Sequence, residues 1–152
     1  MLKKIKTAYN RLTIDSLIRT VYYFLFFFMP LVMSARTSEI FEFNKMMLLY
    51  VGTLLIAILA LIRFTVYRDV HKHVYLLPLL GFLGTIFLST STSVDPHTSI
   101  IGHYGRFNGG LISIIAYVVL SITALQIFDK KRINTLLKVS LFSSFIVILW
   151  GI

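Results

Sequence analysis

The stretch at residues 46–64, M-M-L-L-Y-V-G-T-L-L-I-A-I-L-A-L-I-R-F, decides the fold. Its nineteen residues hold no charge until Arg63 at the far edge, and about 20 consecutive apolar residues is what a helix needs to cross a bilayer. Such a run has no helical partner face to hide and no alternation that a strand would require. The whole 152-residue chain agrees with it: 57% of residues are hydrophobic and only 14% charged, against about 25% charged in ordinary soluble domains. The reading is an all-α, polytopic transmembrane bundle.

Working outward, four more apolar runs stand beside this one. Residues 12–33 form a first span, preceded by a basic segment with Lys3, Lys4, Lys6 and Arg11 and carrying Arg19 in its first half. Pro30 near its end is placed to kink or terminate the helix. A cleaved signal peptide competes for this region, because a basic start, an apolar core and Ser34-Ala35 come in the right order. The basic region is long for that purpose, and Met33 would occupy the first small-residue position of the cleavage motif, so the span is preferred. Residues 74–90 give a short third span containing Pro78, Gly81 and Gly84, which membrane helices tolerate where neighbours pack closely. Residues 111–128 and 136–152 give the fourth and fifth, the last with Lys138 at its start and Trp150 at its end.

Five spans permit a test of sidedness. With the amino terminus in the cytoplasm, twelve Lys and Arg residues fall on the cytoplasmic face and three, Arg36, Lys45 and Arg106, on the other. Positive charge accumulates on the cytoplasmic side of membrane proteins, so this asymmetry fixes the orientation and predicts a multi-pass protein of the inner (cytoplasmic) membrane. The formal charge of +9 is therefore accounted for by membrane topology, and nucleic acid is not an expected partner. The absence of cysteine removes disulfide and thiolate chemistry.

Between the third and fourth spans lies the one polar, glycine-punctuated stretch with room for recognition, residues 89–110, S-T-S-T-S-V-D-P-H-T-S-I-I-G-H-Y-G-R-F-N-G-G. Its single Lys or Arg is Arg106, with His97, His103, Tyr104 and Asn108 around it. A planar guanidinium binds phosphate or pyrophosphate through two parallel hydrogen bonds, and a phosphate-linked lipid presents such a group at this depth. An arginine five residues before an apolar run is equally suited to anchoring a span at the headgroups. Both readings are open on the sequence.

Weaker constellations favour plainer readings. Asp95, His97 and His103 have metal-ligand types but no defining spacing, and no metal is expected. His71 and His73 read as interfacial residues of a cytoplasmic connector. Glu39, Glu42, Asn44 and Lys45 at the outer mouth of the first two spans read as solvated helix ends in preference to partners for Arg106. There is no nucleotide loop, zinc-protease helix or nucleophile elbow.

The sequences E-F-N-K-M-M-L-L at 42–49, L-S-T-S-T-S-V-D-P at 88–96 and G-H-Y-G-R-F-N-G-G-L at 102–111 together resemble the amino-terminal part of the bacterial O-antigen ligase and O-antigen polymerase superfamily, especially its O-antigen ligase-like branch. The resemblance implies a metal-independent, cofactor-free glycosyltransferase that takes a polyprenyl-pyrophosphate-linked glycan as donor and moves it to an acceptor outside the cytoplasm. It implies that Arg106 grips the pyrophosphate, with support from His103, Tyr104 and Asn108, and it leaves ligase and polymerase undistinguished. Members have about a dozen spans and a late extracytoplasmic loop that supplies a catalytic histidine, which neither His97 nor His103 replaces. The expectation is an amino-terminal fragment, inactive without its carboxy-terminal half or a partner subunit. A small transporter or flippase subunit, or an accessory membrane protein without catalysis, is the alternative.

Reporter fusions test the sidedness. Fusions after Lys45 and His97 are expected to be active outside the cytoplasm only, and fusions after Lys72 and Lys131 inside only; a cytoplasmic signal at His97 removes the basis for an external Arg106 site.

Overall fold

A computed structural model of the chain describes residues 2–33, 42–67 and 74–150. Six helices make up its regular structure: α1 (Leu2–Leu31), α2 (Glu42–Tyr67), α3 (Leu76–Ser91), α4 (Pro96–Ile101), α5 (Leu111–Ile127) and α6 (Lys130–Trp150). No strand occurs among the described residues. Arg36, Glu39, His71, Lys72 and His73, assigned roles above, lie outside them.

Among the described residues, three helical segments are long and apolar enough to cross a membrane: Leu12–Leu31 of α1, all of α2 and all of α6. The other two expected spans, α3 and α5, are apolar but have only 16 and 17 residues. At 1.5 Å per residue they reach about 25 Å, short of a hydrocarbon core of about 30 Å. Boundaries also move at the basic segments. The helix of α1 begins at Leu2 and so runs through the basic segment. The connector at 129–132 shrinks because the Asp129 carbonyl accepts from the amides of Arg132 and Ile133 at 2.9 and 3.0 Å, starting α6 at Lys130.

Helix α1 packs between α2 and α6, α5 packs on α2, and α3 and α4 pack on α5. Ile18, Tyr22 and Leu25 repeat at four and three residues along α1, the spacing that keeps one helix face inward, and they form the core with Ile56 and Ile127. A Cβ on Gly52 would overlap the Leu25 side chain, so the missing side chain sets the approach of α1 and α2, as small residues do in apolar helix pairs. Hydroxyls add directional links: Tyr22 Oη donates to the Leu120 carbonyl at 2.6 Å, and Ser143 Oγ to that of Phe27. The pairings Ser143 with Phe27, Met46 with Tyr117 and Arg63 with Asp15 make α1 and α6 parallel to each other and antiparallel to α2 and α5.

One contact departs from the sequence-based reading. Arg63 does not join the solvated cations of a connector: it is 3% exposed, and its Nε donates to Asp15 Oδ1 of α1 at 2.7 Å. Thr123 and Gln126 of α5 line a cavity of about 90 Å³ at the same place. Asp15 lies three residues inside the apolar segment that starts at Leu12, so the pair sits about one turn inside the apolar part of the bundle. Two charges withdrawn from water are tolerable only together, because removing one leaves the other uncompensated in a poor dielectric.

Asp15→Leu alone is therefore expected to destabilise the protein by about 3–5 kcal/mol, and Asp15→Leu with Arg63→Met to recover most of that loss. Unfolding in mixed micelles measures both. A double variant no more stable than the single one would show that the charges do not depend on each other.

Candidate functional site

The polar stretch between α3 and α5 is held by its own backbone. Asp95 caps α4 by accepting from the Thr98 amide at 3.3 Å, and Pro96 follows at the first helical position, where a missing N–H costs nothing. Ser93 Oγ accepts from the Asp95 amide at 3.2 Å and lies 2.5 Å from Ser99 Oγ. Hydrogen bonds from the Thr98 hydroxyl and the Thr98 amide hold the Asp95 carboxyl below the usual carboxylate range. A depressed folded-state pKa means that this cap stabilises α4 above the ordinary Asp range and is lost as pH falls through the folded value.

Beyond α4 the chain folds back on itself. Gly102 ends the helix with φ +97°, a conformation L side chains rarely adopt, and a Cβ on it would strike the backbone of Asn108. The His103 amide donates to the Asn108 carbonyl at 3.2 Å, and the Arg106 and Phe107 amides to the His103 carbonyl at 3.1 and 3.0 Å. The turn closes where Gly110 lies against the backbone of residues 100–102, again with no space for a Cβ. Phe107 takes φ +55°, which costs a non-glycine residue about 1–2 kcal/mol. Two contacts from α2 hold it there: Tyr50 Oη donates to the Phe107 carbonyl at 2.5 Å, and the Phe43 ring meets the Phe107 ring edge-on with centroids 5.6 Å apart.

Arg106 is thus carried on a fixed turn one residue from an anchored carbonyl. Its Nε lies 3.5 Å from Glu42 Oε2, with both side chains about half exposed. The preferred reading of Glu42 as a solvated helix end is therefore incomplete, because this carboxylate stands beside the guanidinium. An exposed pair of this kind contributes little stability.

The neighbours expected to support Arg106 separate into different roles. Asn108 turns back toward α5, where its Oδ1 accepts from Tyr117 Oη at 3.3 Å and from the Gly109 amide at 2.8 Å. It braces the turn. His103 contributes its backbone to the turn and exposes its side chain, and Tyr104 is 97% exposed. His97 is exposed on α4 while the Asp95 carboxylate is engaged as the cap. Among the described residues, no three His, Asp or Glu side chains gather as a metal site would require. A hollow of about 400 Å³ beside the turn is lined by hydroxyl residues including Ser89, Thr92, Ser93 and Ser99, with Gly109 at its wall.

Sequence reasoning missed Tyr50, Tyr117, Phe43 and Phe107. The available signal was the polar tip of a tyrosine inside an otherwise apolar span, since such groups find a partner when buried. That partner, a main-chain carbonyl 57 residues away, leaves no mark in residue type. Compared with known proteins, the chain matches no family model, and no curated protein or solved structure matches it.

The turn predicts its own weak point. Gly110→Ala drives its Cβ into the backbone of residues 100–102, worth about 1–3 kcal/mol of local strain, and is expected to speed tryptic cleavage after Arg106 by roughly tenfold. Gly109→Ala meets open space and bears only the positive-φ cost, so its cleavage rate should rise less. Equal rates in the two variants would contradict the close approach at Gly110.

Proposed function

We propose that this chain is the amino-terminal membrane part of an O-antigen ligase-like glycosyltransferase, which transfers or polymerises a polyprenyl-pyrophosphate-linked glycan outside the cytoplasm. The observation that carries the reading is Arg106. It stands half exposed on a braced turn beside Glu42, at the end of the bundle opposite Arg63 and the 129–132 connector. With five spans and a cytoplasmic amino terminus, that end faces outward in an inner membrane, where such a donor presents its pyrophosphate. The charge distribution and the antiparallel order of the helices support this arrangement.

In this reading the guanidinium exchanges the Glu42 carboxylate for pyrophosphate oxygens. It stabilises the negative charge that develops on the leaving group as the glycosyl bond breaks. His103 and Tyr104, exposed on the same turn, are within the surface that a bound headgroup would cover, and Asn108 acts by holding the turn. The base that activates the acceptor hydroxyl comes from the carboxy-terminal half or from a partner subunit.

The Asp15–Arg63 pair, buried at the arginine and part-buried at the aspartate, favours a second reading, a transporter or flippase subunit, because charges within apolar spans often mark a solute or proton path. Donor-lipid binding by the purified protein separates the two.

In the protein with its carboxy-terminal half present, Arg106→Lys is expected to lower glycan transfer by at least about tenfold and Arg106→Ala by as much or more, since an ammonium cannot reproduce the planar fork. Membrane insertion must be normal in both. A fully active Arg106→Lys protein would assign the residue to headgroup anchoring, where either long side chain serves, and a fully active Arg106→Ala protein would end the pyrophosphate assignment.

A further inference from the structure

On the other side of α2 from the Arg106 turn, a cavity of about 450 Å³ lies where α1, α2 and α6 meet, lined by Pro30, Leu31, Met33, Lys45, Ile146, Val147 and Trp150. Because α1 and α6 run parallel and α2 antiparallel to them, these residues share the end of the bundle that carries Arg106. Its volume falls within the range of small-molecule sites, about 300–1,000 Å³. Among the described residues that line it, one charged side chain, Lys45, stands with six apolar ones. Lys45 lies in the first turn of α2 and Trp150 in the last turn of α6. Ile146 is one turn deeper, about 6 Å below Trp150.

A cation at headgroup depth above an apolar trough matches one class of molecule. We infer that this cavity binds an anionic phospholipid of the bilayer, with its phosphate on the Lys45 ammonium and the upper part of one acyl chain against Pro30, Ile146 and Val147. Among the described residues, a soluble anion would meet one ammonium and an apolar wall. A helix from another protein is about 10–12 Å across and needs a longer seat than one turn. A zwitterionic lipid offers the same phosphate but carries its own cation beside it, so a basic side chain close to the membrane surface favours headgroups of net negative charge. Trp150 suits the rim, since its ring is apolar and its N–H is polar, the combination found at headgroup level. None of the lining residues belongs to the Arg106 turn, so the site is separate from the proposed donor site and does not depend on it.

Trp150 is the only tryptophan of the chain, which makes the groove directly observable. In reconstituted vesicles, phosphatidylglycerol with brominated acyl chains should quench Trp150 fluorescence more effectively than equally brominated phosphatidylcholine, with a preference of about fivefold in apparent affinity. Lys45→Gln should abolish the preference, while Lys45→Arg and Arg106→Gln keep it. Unbrominated phosphatidylglycerol should relieve the quenching and soluble glycerol phosphate should not; this competition uses the unaltered protein, so it decides the matter even if Lys45→Gln does not fold. Equal quenching by the two lipids, a preference that survives Lys45→Gln, or relief by glycerol phosphate would each overturn the inference.

Discussion

The register of α1 against α2 depends on the ion pair between Asp15 and Arg63. Two groups that cannot be left singly in an apolar interior have one low-energy arrangement, each opposite the other, and this ties a point near the start of the first span to a point near the end of the second. Ion pairs of this kind add little net stability, but they exclude sliding, because a shift of one turn leaves both charges unmatched. Gly52 against Leu25 then sets how closely the two helices approach. With α1 and α2 in place, α6 seats along α1 through Ser143, and α5 along α2 and α1 through Tyr22 and Ile127.

That register also determines what the far end of α2 can reach. Glu42, Phe43 and Tyr50 lie within its first three turns and all meet the turn that carries Arg106. The rigidity of the turn is therefore borrowed. Phe107 stays at positive φ because its carbonyl and its ring are both engaged by α2, and the backbone of the turn is closed by contacts that only glycine permits at 102 and 110. The result is a guanidinium carried on a braced turn beside a carboxylate of α2.

Three residues after Glu42 on the same helix, Lys45 borders a different environment. Where Arg106 and Glu42 are open to water, Lys45 tops an apolar groove of α1 and α6. Two cations at one end of the bundle thus stand in settings suited to different partners, one polar and exposed, the other partly apolar. A charge count along the chain treats them alike.

By itself the sequence determined the helical class, the approximate limits of the apolar segments, the uneven distribution of Lys and Arg, and the polar turn with Arg106 as its single Lys or Arg. These properties are local: composition over about 20 residues or a glycine in a short loop is enough to produce them. The tertiary structure alone decided that Asp15 faces Arg63, that Glu42 stands beside Arg106, that Tyr50 holds Phe107, and that Asn108 braces the turn. The physical reason is that helices apolar around most of their circumference carry no marked face to announce which neighbour they meet, so pairings between residues 48 to 98 positions apart arise only when close packing at Gly52 and the matching of buried charges and hydroxyls select one arrangement.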